Sequence, residues 1–253
     1  MLTQLKITLQ PENTVQIANS WAYNMYGALV EKMPPYIAEN LHAQAQTPIS
    51  QYLTAKSNTC IWNVCLFGNI GKEILPILEN TDSYFLTKFN QNLKVRNIES
   101  CAEFTETDFC RKYLIEDDFS RLITLNFETP CAFKSAGEYA ILPSKEWIIK
   151  SLVNKWDVFS ENNKIGDEFA IQNIIDCCRI VKYNLRSTVY PLKDVKIPSF
   201  TGFVTLSARG NEQLLRLFNL IACFGEFSGI GIKTALGMGG VHVSRNFKKE
   251  FCP

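Results

Sequence analysis

Six of the chain's 13 glycines fall between positions 225 and 240 (225, 229, 231, 237, 239 and 240), and no other feature restricts the fold as tightly. Glycine at that density costs backbone entropy, and it is kept where the chain needs positive φ or must bring its backbone close to something else. Within this segment, Gly229-Ile-Gly231-Ile-Lys233-Thr-Ala-Leu-Gly237-Met-Gly239 sets two Gly-hydrophobic-Gly pairs around five residues that include a single lysine. Upstream, Leu214, Leu217, Phe218 and Ile221 recur at helical spacing, and downstream Val241-His-Val243-Ser reads as a strand. The order is therefore helix, loop, strand. It excludes the dinucleotide fingerprint, which follows a strand and opens a helix, and the Gly-x4-Gly-Lys-Ser/Thr phosphate loop is absent. Two readings stay open at this level: an elaborate helix C-cap and turn, or a loop whose N–H groups and lysine hold a phosphate.

The rest of the chain reads as two similar halves. Leu5, Ile7 and Leu9 alternate with polar neighbours in a first strand. Ile17, Trp21, Met25 and Ala28 share a helix face, with Pro34-Pro35 as its stop. Paired strands at 48–54 and 59–67, a helix at 71–80 and strands near 83–98 follow, and a short helix near 106–113 leads to an alternating strand at 121–127. The second half is expected to hold a hairpin at 136–142, helices at 144–159 and 167–176, strands at 178–186, 190–197 and 200–208, a helix at 210–223 and a last strand at 241–245. The economical fold class is α+β, two tandem ferredoxin-like (RRM-like) βαββαβ domains with antiparallel sheets, divided as 1–127 and 128–253. RNA-recognition modules of that architecture use an open sheet face or cleft for RNA, although fold alone does not establish the use.

Composition narrows the function classes. With 46% hydrophobic residues the chain is globular. No apolar run is long enough to span a bilayer, and the N-terminus reads as a strand rather than a signal segment, so a cytoplasmic protein without membrane partners is expected. Formal net charge is +1, but residues 1–128 carry 10 Lys+Arg against 14 Asp+Glu, and residues 129–253 carry 16 against 11. A globally basic binder is excluded, while a basic surface on the second half is allowed. Nine cysteines form no C-x-x-C pair and there are only two histidines. No metal or other cofactor is therefore expected, and the thiols read as small buried hydrophobes in a reducing compartment.

His42 follows the proline pair, and Tyr23, Tyr26 and Tyr36 precede it. An imidazole near pKa 6.5 suits proton transfer at neutral pH. Asp117-Asp118 is adjacent in sequence and reads as a polar turn, which leaves no carboxylate cluster for a two-metal nuclease. Metal-free chemistry on RNA uses the 2′-hydroxyl as nucleophile and needs a base, an acid for the leaving 5′-oxygen and a cation near the phosphate. A histidine, a tyrosine and a lysine meet that need.

These segments together resemble the CRISPR-associated repeat-RNA processing endoribonucleases, the sixth Cas family of the RAMP superfamily. The resemblance is carried by Phe224-Gly-Glu-Phe-Ser-Gly-Ile-Gly-Ile-Lys-Thr-Ala-Leu-Gly-Met-Gly-Gly-Val241, by Ile197-Pro-Ser-Phe-Thr-Gly-Phe-Val-Thr-Leu206, and by Thr129-Pro-Cys-Ala-Phe-Lys-Ser135 with Tyr139-Ala-Ile-Leu-Pro-Ser144. It covers the second half almost continuously and the first mainly in element order and around His42. It implies metal-independent cleavage within the repeats of precursor CRISPR RNA, leaving 5′-hydroxyl and 2′,3′-cyclic phosphate ends, with the product passed to an effector complex by a monomer or homodimer. It makes His42 the catalytic base or acid and Tyr26 the best tyrosine, with Tyr23 second. Lys134, Gly229, Gly231, Lys233, Gly237, Gly239 and Arg245 become the RNA-binding set, while His242 is expected to be a polar strand residue. One departure stands out. Many members carry a lysine shortly after the histidine, where this chain has Gln46-Thr47 before Pro48, so the cation must come from elsewhere, with Lys56, Lys134 and Lys233 as candidates. The rival expectation is a non-cleaving RNA-binding subunit of the same superfamily.

Overall fold

The computed structural model describes residues 1–13, 15–43, 46–56 and 59–246, with the side chains of His42 and Ala43 outside the described set. In chain order the first unit contains β1 (Leu2–Pro11), α1 (Ala22–Val30), α2 (Pro35–Ala43), β2 (Ile49–Ala55), β3 (Cys60–Phe67), α3 (Gly68–Glu79), β4 (Ser83–Leu86) and β5 (Gln91–Phe104). Its sheet is antiparallel, in the order β2-β3-β1-β5-β4. This is the ferredoxin-like arrangement with β4 added at one edge. The alternation seen in sequence sets the faces, since Leu5, Ile7 and Leu9 are buried and Lys6 is exposed.

The helix α4 (Glu106–Arg111) leads to the second unit: β6 (Leu122–Cys131), β7 (Phe133–Ser135), β8 (Glu138–Ala140), α5 (Lys145–Phe159), α6 (Glu168–Cys177), β9 (Cys178–Leu192), β10 (Val195–Ala208), α7 (Glu212–Ser228) and β11 (Val241–Asn246). The sheet order β11-β6-β10-β9 repeats the ferredoxin-like pattern, with β7 and β8 as a separate hairpin. The helix starts are set locally. Ser144 Oγ accepts from Trp147 N at 3.2 Å and Asn211 Oδ1 from Leu214 N at 2.9 Å, caps that typically contribute about 1 kcal/mol each. Among the described residues no helix is long and apolar enough to cross a membrane.

Three expectations change. α1 ends at Val30, before Pro34-Pro35, but the pair also opens a second helix: Pro35 is the first residue of α2, a position where a missing N–H costs nothing and a fixed φ helps. The three strands expected between 178 and 208 are two long ones. Pro191 lies on edge strand β9, and Pro198 precedes the point, Phe200, where β10 first pairs with β6. Both prolines thus sit where a strand has a free side, which a residue without an N–H tolerates. A division at 127/128 falls inside β6, which pairs with β10 from Leu122 to Cys131 and with β11 from Leu122 to Phe127, whereas a division within 105–121 keeps both sheets whole.

The units share a core. Leu2, Cys65 and Phe67 of the first sheet join the apolar cluster of α5, α7 and the second sheet. The Phe67 ring meets Phe159 and Phe224 edge-on, at centroid distances of 6.4 and 6.1 Å. Six of the eight described cysteines are buried, none in a disulfide, as expected of small apolar side chains.

Candidate active site

One buried amide bridges the seam between the units at the glycine segment. Gln51 of β2 is buried at an inward-facing strand position, and its Nε2 donates to Ala22 O at the start of α1 and to Ala235 O in the glycine segment, both at 2.8 Å. Its Oε1 accepts from Trp62 Nε1 at 2.8 Å. A single side chain thereby ties the tyrosine-bearing helix to the loop of the other unit. Tyr190 of β9, in the same unit as the loop, braces it by donating from its hydroxyl to Leu236 O at 2.6 Å.

The glycine segment follows α7 and turns through a short 3₁₀ helix at Thr234–Leu236, preceded by Lys233 at φ 59°. Two glycines show why the segment tolerates no side chain. A Cβ on Gly237, at φ 97°, would collide with Ala22 Cβ and the Tyr190 hydroxyl, and one on Gly239, at φ 64°, with the backbone carbonyl of Ile230. The segment is wedged between the units, and its exposed side forms the wall of a cavity.

That cavity has a volume of about 480 Å³ and is lined by Tyr26, Leu41, Gln46, Thr47, Lys134, Tyr139, Lys155 and residues 231–236. The first unit thus contributes Tyr26 and the residues flanking His42, and the second contributes the loop and three lysines. No carboxylate stands in this wall among the described residues. Burial pushes the Tyr26 hydroxyl above its ordinary pKa, so it stays a neutral phenol that can donate a hydrogen bond. A larger cavity of about 600 Å³ opens near Met1, Lys72 and Glu106. It holds none of the residues singled out by sequence, and its Glu106 carboxylate is engaged in capping residues 161–163. The smaller cavity is the chemically equipped one.

Of the residues expected at the site, Tyr26, Lys134, Gly231 and Lys233 come together in this wall. Gly229, Gly237 and Gly239 stand behind it, shaping the loop. His42 lies on the last turn of α2, directly after the wall residue Leu41, and its side chain is outside the described residues. Tyr23 is not in the wall. Its ring instead faces Lys193 Nζ, 5.6 Å from the centroid. Tyr36 is exposed and donates to Glu73 at 2.8 Å. Lys56 is exposed and away from the wall. Arg245 is held on β11 by Asp117 Oδ2 at 2.8 Å and lies over the Tyr113 ring, so the structure does not bring it to the cavity. His242, also on β11, lies with its Nδ1 2.7 Å from Glu226 Oε1 of α7, in keeping with a polar strand residue.

Sequence reading missed Lys155. It falls within the apolar stripe of α5, among Ile148, Leu152, Trp156 and Phe159, and is only 5% exposed. Its Nζ donates to Ser228 O at 3.2 Å and Gly229 O at 2.9 Å, beneath the glycine segment. Desolvation pulls its pKa down to about 7, slightly offset by the neighbouring Cys131.

The chain is thus built of tandem ferredoxin-like units with a cleft walled by lysines and a glycine-rich turn. The sequence profile of the CRISPR-associated endoribonuclease Cas6 matches residues 125–241. The chain is 26% identical over 256 residues to the CRISPR-associated endoribonuclease Cas6 of Mycobacterium tuberculosis, covering 99% of this chain and 81% of that protein. It is 27% identical to the one of Streptococcus thermophilus, covering 88% and 91%. A solved Thermus thermophilus Cas6 superposes with a TM-score of 0.75 at 21% identity, covering 96% of this chain and 98% of that one. A Cas6 product complex gives 0.77 at 19% identity, covering 96% and 100%. The chain is thus similar to the Cas6 endoribonucleases, in its second half by the family model and along most of its length by these relatives.

Proposed function

We propose that this protein cleaves precursor CRISPR RNA within its repeats, in the cavity between Tyr26 and the glycine segment, without a metal ion. One observation carries the reading: a cavity with no carboxylate among its described lining residues takes Tyr26 and the neighbours of His42 from the first unit and its lysines from the second. A polyanion is attracted to such a wall, and the Tyr26 phenol in it can donate a hydrogen bond. In the reaction, the 2′-oxygen attacks the adjacent phosphorus and the bond from phosphorus to the 5′-oxygen breaks. His42 takes the 2′ proton or supplies one to the leaving oxygen, and the neutral Tyr26 phenol donates to the leaving oxygen or to a phosphate oxygen. The products carry 2′,3′-cyclic phosphate and 5′-hydroxyl ends, and the processed RNA passes to an effector complex.

His42→Ala should lower single-turnover cleavage of a repeat RNA by roughly 10²–10⁴-fold, the usual range for a lost general acid or base, with repeat binding retained. Normal cleavage by that variant would sink the assignment. EDTA should leave the rate unchanged, and a strict requirement for added magnesium would contradict the metal-free mechanism. A second reading, a non-cleaving RNA-binding subunit, draws on Gln46-Thr47, which supply no cation where many relatives have a lysine. It predicts a stable complex whose RNA stays intact.

A further inference from the structure

Lys155 is charged chemistry without a task in this scheme. Its ammonium lies in the cavity wall, nearly free of solvent, and among the described residues it has no carboxylate partner. Two backbone carbonyls satisfy two of its N–H groups but do not neutralise its charge. The third contact, to Thr234 Oγ1 at 3.5 Å, is at the limit of a hydrogen bond, and Thr234 itself lines the cavity. A buried cation without a counter-charge is costly in the empty protein. An anion in the cavity would remove that cost, and Lys134 and Lys233 face the same space.

We propose that Lys155 supplies the cation absent after His42, its ammonium holding an RNA phosphate in the cavity from beneath the glycine segment. The inference rests on the RNA-cleavage reading and names the group that makes the phosphate contact. Titration fits this geometry. Beside Lys155 is the Cys131 thiol of β6, kept neutral by burial, and the lysines 134 and 233 and the phenols Tyr26 and Tyr139 line the same cavity. Since burial brings the Lys155 pKa to about 7, phosphate binding above that pH must take up a proton.

The test uses a repeat RNA blocked by a 2′-deoxy nucleotide at the cleavage site for binding, and the unmodified repeat for single-turnover cleavage. Lys155→Met removes both charge and donors. Lys155→Gln removes the charge but keeps two N–H groups for the carbonyls of Ser228 and Gly229. Both variants should lower the slope of log K against log salt by about 0.7, one phosphate contact to a single strand. Both should also slow cleavage by about a hundredfold, as when one electrostatic donor to a reacting centre is removed. For the unaltered protein, binding should weaken towards tenfold per pH unit above pH 7, a measurement that needs no variant to fold. An unchanged salt slope, full rescue by glutamine, or pH-independent binding between 7 and 9 would overturn the role of Lys155. If the unaltered protein neither binds nor cuts the repeat, the RNA reading falls and takes this inference with it. If it does both and the variants match it, only the inference falls.

Discussion

Replacing Gln51 with leucine tests whether one buried amide holds the seam of the site. Leucine fills much of the same volume and keeps the inward strand position, but it removes three hydrogen bonds of 2.8 Å, to Ala22 O, Ala235 O and from Trp62 Nε1. Neutral hydrogen bonds contribute about 1 kcal/mol each, and a buried group left without a partner costs about 1–3 kcal/mol. Gln51 and Trp62 are both almost fully buried, so water cannot replace what is lost. The expected destabilisation is therefore about 3–5 kcal/mol, a large part of a typical domain's 5–15 kcal/mol. Urea unfolding followed by far-UV circular dichroism would measure it, and the shared core predicts one transition rather than two. The bond to Ala235 O also predicts an effect on function: the wall residues 233–236 lose their tie to α1, and repeat cleavage should fall with Tyr26 still present. Gln51→Glu adds a control. A carboxylate cannot donate to either carbonyl, so stability at pH 7 should fall at least as far, and it should recover partly in acid as the protonated acid regains one donor. A loss below about 1 kcal/mol for Gln51→Leu, with normal cleavage, would refute the reasoning.

Three further outcomes follow from the same geometry. Partial burial opposes ionisation of Glu106, but hydrogen bonds from Ser160, Glu161, Asn163 and Asn162 outweigh it and hold the carboxyl at about pKa 2. Its stabilising contribution is present above pH 4.5 and lost as pH falls towards 2, so Glu106→Gln should be less stable at pH 7 and match the unaltered protein near pH 2 in acid titrations of the unfolding midpoint. Gly239→Ala should destabilise by about 3 kcal/mol in the same unfolding assay, combining a left-handed conformation with a collision against Ile230 O. Lys155 binds fewer protons folded than unfolded between pH 7 and 10.5, so this group should make stability rise with pH across that window, by at most about 1.4 kcal/mol per unit; Lys155→Met should remove that rise.

Elements whose residues answer to one physical demand were legible in the sequence. Alternation in β1 and the apolar stripes of α5 and α7 gave the right element types, because burial alone decides those positions. Prolines misled, since their effect depends on what lies beside them: Pro35 starts a helix, and Pro191 and Pro198 sit inside strands that have a free side. Within the site, Lys233 stood out in the glycine segment itself and Tyr26 and Lys134 came from the family resemblance, while Gln51 and Lys155 were not found at all. Both carried a signal. Gln51 shares a strand face with Ile49 and Leu53, and Lys155 lies three residues after Leu152 and seven after Ile148 in an apolar stripe. A polar residue in a buried phase must have partners waiting for it, yet periodicity cannot say which. Arg245 is the opposite case: a charge on a strand, it is held by Asp117 and not brought to the cavity.

The two readings of the glycine segment, helix cap and ligand wall, turn out not to compete. Glycines at 237, 239 and 240 remove side chains where the segment presses on Ala22 and Tyr190, on Ile230 and on Tyr52. That pressing surface faces both units, so the turn takes its position from the packing of the whole molecule. Its other side, from Gly231 through Leu236, forms the cavity wall opposite Tyr26. A wall fixed this way needs no reorganisation when an anion arrives, which is the condition under which fixed charges and dipoles act most strongly. Lys155 completes the logic from below. Its bonds to Ser228 O and Gly229 O brace the turn, and the same ammonium leaves one side of the cavity positively charged. The glycines thus act through what they exclude, and the charge that the site requires is carried by a residue 74 positions earlier than Gly229 in the chain.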